Sequence, residues 1–274
     1  QPPRTHVCDI SRIEGAPHVK NLVYGGLDGT LATFAIVSAV YGSGLPWTVC
    51  LVMGSASLLA EAISMGLGDF FSSTAEIELA SNERAREEWE YDNNRQGEID
   101  EMVEVLTSRG IPHAEAKEVI GILSRHRAFF VDFMLTHELA ILPPDDSGSM
   151  AARGAAVTFV AFLVCGATPI VVFCALQASA QAAAGGDASA AAAQRGMHFA
   201  VCCVATSAAT FLLGVCKAAV TGSALVSGGA RMTFNAAIAG GASFAMSTAM
   251  SALMHAVGFV NSADAADAAA IETS

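Results

Sequence analysis

Five long apolar stretches constrain this chain more than any other feature. A helix rises 1.5 Å per residue and needs about 20 residues to cross the hydrocarbon core of a bilayer. The stretches run from about Leu22 to Tyr41, Trp47 to Phe71, Ala155 to Leu176, His198 to Val220 and Phe234 to Val260. A turn, Gly42-Ser43-Gly44-Leu45-Pro46, joins the first two. Lipid offers no partner for free backbone groups, so such spans are helices. Small residues at Gly25-Gly26, Gly54-Ser55-Ala56-Ser57, Gly66, Gly68 and Gly240-Gly241-Ala242 predict close helix packing. Pro169 is expected to bend the third span.

Charge is concentrated elsewhere. The chain is 53% hydrophobic and 15% charged, with a net charge of -12. Of its 26 acidic residues, seventeen lie between Ser72 and Asp146. An acidic block inside an apolar chain argues against nucleic acid as a partner and for cations. The 14 Lys and Arg residues set the orientation by the positive-inside rule. Arg4, Arg12 and Lys20 precede the first span, eight lie between spans two and three, Lys217 and Arg231 flank the loop between four and five, and Arg195 alone falls on the other side.

The expected organisation is therefore all-α. Five transmembrane helices carry a cytosolic, helical, carboxylate-rich domain inserted between helices two and three. Residues 1–21 form a cytosolic N-terminal segment, 22–71 helices one and two, 72–146 the acidic domain, 147–260 helices three to five and 261–274 a lumenal tail. The low-complexity run Gln177–Gly196 reads as a flexible loop on the lumenal side. The multi-pass protein so described has a cytosolic N-terminus, a lumenal C-terminus and membrane lipid around it.

Within the acidic block, Glu76, Glu83, Glu87 and Glu90 recur at helical spacing on one face, and the second span is able to continue into this helix unbroken. Gly97 is expected to break it. A following helix starts near Glu98 with an apolar stripe of Ile99, Met102, Val103 and Leu106, and ends at Gly110-Ile111-Pro112. Further helices are expected at about Ala114–Leu123 and Ala128–Leu142.

Two constellations carry chemistry. Asp28 sits about six residues into span one, and Met65 lies at a similar depth in the antiparallel span two, with Glu61 one turn deeper on the same face. Ionisable groups at membrane depth are functional by default, and carboxylates with a thioether suit first-row transition metals. The second set is cytosolic. Glu87 and Glu90 on one helix, and Glu98 and Glu101 on the next, are pairs three apart that point the same way, and Met134 and Glu138 lie four apart on a later helix.

The remaining signals are bland. His126 and His137 read as surface residues, although His137 adjoins Glu138, and His198 and His255 as interfacial ones. The seven cysteines show no metal-ribbon spacing and read as small hydrophobes. No phosphate-binding loop, nucleophile elbow or HExxH motif is present, which leaves ATP-driven pumping and hydrolysis unsupported, and the chain is read as a non-enzyme.

Three motifs resemble the vacuolar iron transporter family: Gly26-Leu27-Asp28-Gly29, Glu61-Ala62-Ile63-Ser64-Met65-Gly66-Leu67-Gly68 and Asp132-Phe133-Met134-Leu135-Thr136-His137-Glu138-Leu139. The resemblance covers nearly the whole chain. It implies a homodimer of five-helix protomers with the ion path between them, exchanging cytosolic divalent iron for protons of an acidic organelle such as a vacuole. It implies Asp28 and Met65 as path ligands with Glu61 nearby, and Glu87, Glu90, Glu98, Glu101, Met134 and Glu138 as ligands of the cytosolic domain. Many members carry a further Glu after that Met, where this chain has Leu135, a position that bears on how many ions are held. No prosthetic group is implied. Fe²⁺ is the substrate, and the same ligands also suit Mn²⁺, Co²⁺ and Zn²⁺. The competing readings are a membrane-anchored metal buffer or sensor and a membrane di-iron oxidase. The oxidase lacks the Glu-x-x-His pairs that such sites use.

Overall fold

The computed structural model describes residues 16–143, 149–183 and 188–256. The start of the N-terminal segment, Asp145 and Asp146, and the expected tail 261–274 lie outside the described residues. Within them all regular structure is helical: α1 (Ala16–Gly42), α2 (Trp47–Ser108), α3 (His113–Leu123), α4 (Arg127–His137), α5 (Ser149–Ala183), α6 (Ala188–Thr221) and α7 (Leu225–Ala256). Five of these, α1, α2, α5, α6 and α7, are long and apolar enough to cross a membrane. The chain divides into two compact units, one made of residues up to Asp69 and from Arg153 onward, the other of Phe70–Ala152.

The first unit is built on small-residue packing. A Cβ on Gly25 would lie 2.5 Å from the Thr158 carbonyl oxygen, one on Gly29 2.5 Å from the Phe162 oxygen, and one on Gly166 2.9 Å from the Gly29 oxygen. Only glycine admits this approach of α1 to α5, where dispersion between backbones replaces a hydrophobic drive that lipid does not supply. Gly54 and Gly66 of α2 face Ile170 and Phe159 of α5 in the same way, and Gly240 of α7 faces Phe34, whereas Gly68 and Gly241 face open space. The apolar core around Phe34, Val37, Phe162 and Phe173 includes Cys50, Cys174 and Cys202 as buried free thiols. Pro169 lies inside α5.

One expectation changes here. The loop expected over Gln177–Gly196 is largely helix, since α5 runs to Ala183 and α6 starts at Ala188. Half of its residues are alanine, the strongest helix former, and the paired Gly185-Gly186 carries the main breaking signal. His198, near the start of the fourth span, is buried, 5% exposed. Arg195 has a structural task at this end. Its guanidinium donates to the carbonyls of Val40 (3.2 Å), Gly44 (3.3 Å) and Leu45, and lies over the Tyr41 ring, so it closes the C-terminus of α1.

In the second unit, α2 continues past Phe71 without interruption, but its break falls at Asn94 (φ −140°, ψ 46°) rather than at Gly97. Asn side chains compete for backbone hydrogen bonds and tolerate non-helical dihedrals, so Asn94 yields while Gly97 stays helical. Tyr91 Oη and Arg95 Nη2, on either side of the break, both donate to the Ser124 carbonyl at 2.6 Å and fix the fold-back. Met102, Val103 and Leu106 then pack with Tyr91, Ala116, Ile120, Phe130, Val131 and Met134. Helix α4 ends at His137, short of the expected Leu142. Ala140 takes a positive φ of 56° and the Ile141 N–H turns back to the Leu135 carbonyl.

Candidate metal centre

The break at Asn94 decides the geometry of the second unit. In an unbroken helix Glu87 and Glu98 would be separated by about 16 Å along the axis. Instead, Glu87, Glu90 and Glu98 each place a carboxylate oxygen within 4.8 Å of the others, and Glu98, Glu101 and Glu138 do the same. Glu98 is common to both triads. The side chains that form the site are therefore the two pairs on either side of the break plus the residue that caps α4.

Their electrostatics are those of an anion cluster without enough counter-charge. Glu87 is 1% and Glu98 5% exposed. Burial, followed by repulsion from Glu101, Glu87, Glu90 and Glu138, pushes the Glu98 carboxyl from its ordinary 4.5 up to about 7. Burial likewise raises Glu87, against the lowering effect of its hydrogen bond from Arg86, and raises Glu138 together with Glu87 and Glu101. Glu87 Oε2 and Glu138 Oε2 are buried with no hydrogen-bond partner. Ionised carboxylates only accept, so such oxygens call for a proton or a cation. A cleft of about 340 Å³ bounded by Glu101, Glu104, Val105, Ser108 and Glu138 opens beside the second triad. The all-carboxylate donor set fits hard or borderline divalent ions.

The other expected ligands are placed as follows. Met134 is fully buried in the apolar core, one turn before Glu138, whose N–H donates to the Met134 carbonyl at 2.9 Å. Leu135 is fully buried too. His137 is engaged elsewhere, with Nδ1 3.0 Å from Arg109 and its ring against Phe133. In the first unit Asp28 is exposed on α1. Glu61 accepts from the Ser57 hydroxyl. Met65, half-buried one turn from Glu61, packs against the apolar core.

Two residues passed over in the sequence belong to this description. Asp69 Oδ2 accepts from Asn21 Nδ2 and from Thr158 Oγ1, both at 2.7 Å, and so ties α1, α2 and α5 together. Its signal was available, because Glu61, Met65 and Asp69 continue one row at steps of four. Arg86 reaches Glu83, Glu87 and Glu90 at once.

The comparisons with known proteins bear on the whole arrangement. The VIT family model matches residues 19–248. The vacuolar iron transporter of Toxoplasma gondii is 34% identical over 224 residues, 81% of this chain and 71% of that protein. That of Plasmodium falciparum is 30% identical over 157 residues, and vacuolar iron transporter 1 of Arabidopsis thaliana 28% over 155. These two matches span 58% and 61% of the relatives' own length, in each case 57% of this chain.

Proposed function

The chain belongs to the VIT family, and from that premise we propose that it carries divalent iron, and manganese as well, from the cytosol into a vacuole or similar acidic organelle in exchange for protons, for storage and detoxification. Support for an iron cargo comes from relatives named as vacuolar iron transporters in Toxoplasma gondii and in Arabidopsis thaliana. Support for a metal-handling unit comes from the two triads that share Glu98. The observation that carries the reading is the pair of buried carboxylate oxygens, on Glu87 and Glu138, that nothing in the protein satisfies.

The acidic unit, read as the cytosolic insertion between the second and third spans, collects the ion. Glu87, Glu90, Glu98, Glu101 and Glu138 supply oxygens, with the Met134 thioether beside them. Their mutual repulsion is relieved by a 2+ charge, and protons compete for the same oxygens. The ion is then passed to a path built on Asp28, Glu61 and Met65 between two copies of the chain. There, protons from the acidic side compete for Asp28 and Glu61 and release it.

The test is uptake of Fe²⁺ into liposomes of acidic interior, with metal and internal pH followed together. Metal entry coupled to proton exit supports the exchanger. Metal bound outside without entry refutes it and leaves a membrane-anchored buffer or sensor.

A further inference from the structure

The acidic unit contains a cation of its own. The Arg86 guanidinium stands with Nη1 2.9 Å from Glu83 Oε2, Nη2 3.2 Å from Glu87 Oε1 and Nε 3.9 Å from Glu90 Oε1. Glu87 and Glu90 belong to the first triad, and Glu83 belongs to neither. No ion pair to Glu98, Glu101 or Glu138 occurs among the described residues. One triad is thus in direct contact with a guanidinium, and the other feels it only through space, at Glu138.

We propose that Arg86 is a built-in competitor of the metal, which occupies the first triad in the empty protein and withdraws to Glu83 when a divalent ion enters. The inference rests on the metal-binding reading above. Glu87 is 1% exposed and presents Oε2 without a partner while Oε1 is held by Arg86. An ion that takes Glu87 through both oxygens must displace the guanidinium, and an adjacent 1+ charge opposes a 2+ ion in any case. The arginine side chain is half exposed, with a long stem free to swing, and its shortest contact is already the one to Glu83, three residues back on the same helix face. Glu83 is therefore a resting place outside the ligand set. The two triads should fill in order, first the Glu98–Glu101–Glu138 set, which Arg86 does not touch, and then the Glu87–Glu90–Glu98 set, which it does. Such a graded pair holds one ion firmly and gives up the other readily, as a collecting site that must pass its cargo on requires.

The test is calorimetric titration of Mn²⁺ into the full chain in detergent micelles, for wild type, Arg86→Gln, Arg86→Lys, Glu83→Gln and the double variant Glu83→Gln/Arg86→Gln. Arg86→Gln should tighten the weaker phase about two- to fivefold, the worth of one partly exposed ion pair. Arg86→Lys, which keeps the charge, should stay near wild type. Glu83→Gln should weaken that phase with Arg86 present and have a much smaller effect when Arg86 is gone. A fold effect is read separately from thermal unfolding of each variant without metal. Wild-type binding that Arg86→Gln leaves unchanged or weakens overturns the inference alone. Absence of Mn²⁺ binding in wild type and Arg86→Gln alike overturns the metal-binding reading, and the inference with it.

Discussion

If Glu98 holds a metal ion as proposed, function and stability oppose each other there, and Glu98→Gln measures the conflict. The residue is 5% exposed and shares both triads, and its carboxyl is raised from 4.5 to about 7. Because the folded value lies above the unfolded one, the metal-free fold holds this proton more tightly than the unfolded chain does. The associated stability is complete below about pH 4.5, declines as pH rises, and is gone above about 7. The shift corresponds to about 3 kcal/mol. Glutamine keeps the volume and removes the charge. At pH 8 without metal, Glu98→Gln should be more stable than wild type, by about 1–2 kcal/mol once neighbouring carboxylates readjust. At pH 4.5 the difference should vanish. The assay is urea unfolding of the full chain in micelles with chelator present, followed by Trp89 fluorescence in a Trp47→Phe background. Excess Mn²⁺ should reverse the order, since a ligand at 100 times its Kd adds about 2.7 kcal/mol to the form that binds it. Equal stability at pH 8, or an advantage of the same size at pH 4.5, would refute the charge-repulsion account of this site.

Three further outcomes follow from the geometry. Asp28→Ala should abolish liposome uptake and leave calorimetric Mn²⁺ binding intact, and retained uptake would remove Asp28 from the path. Metal affinity should be fully developed above about pH 7 and fall up to about tenfold per pH unit below it, as the ion competes with the Glu98 proton; a flat profile between pH 8 and 6 would exclude Glu98 as a ligand. Gly29→Ala would set a Cβ 2.5 Å from the Phe162 carbonyl oxygen and should destabilise the protein by about 1–3 kcal/mol in thermal unfolding, whereas Gly68→Ala, with open space around it, should cost nothing.

The spans were legible because lipid tolerates little besides long apolar helices, and all five matched helices enclose or overlap the stretches read from hydropathy. The carboxylate pairs were legible from three-residue spacing alone, and the fold brings them together. What spacing does not contain is the turn that joins them. Gly97 carried the stronger textual signal, yet the chain breaks at Asn94, where Tyr91 and Arg95 both reach Ser124. That choice depends on a partner about thirty residues away. Arg86 illustrates the same limit. Among fourteen basic residues it read only as a count toward orientation, and its role depends on which glutamates the fold leaves beside it.

The glycine row of α1 restricts how the molecule is able to move. Asn21, Gly25, Gly29 and Thr33 succeed one another at steps of four, and the two glycines seat the backbone of α5 where no Cβ fits. Sliding α1 by one turn, about 5.4 Å, would bring Asn21 or Thr33 into a place that admits only hydrogen. The groove is closed at both ends, and a one-turn slide of α1 along α5 is barred. If Asp28 is exposed first to one side and then to the other, as proposed, that slide is not the movement that does it.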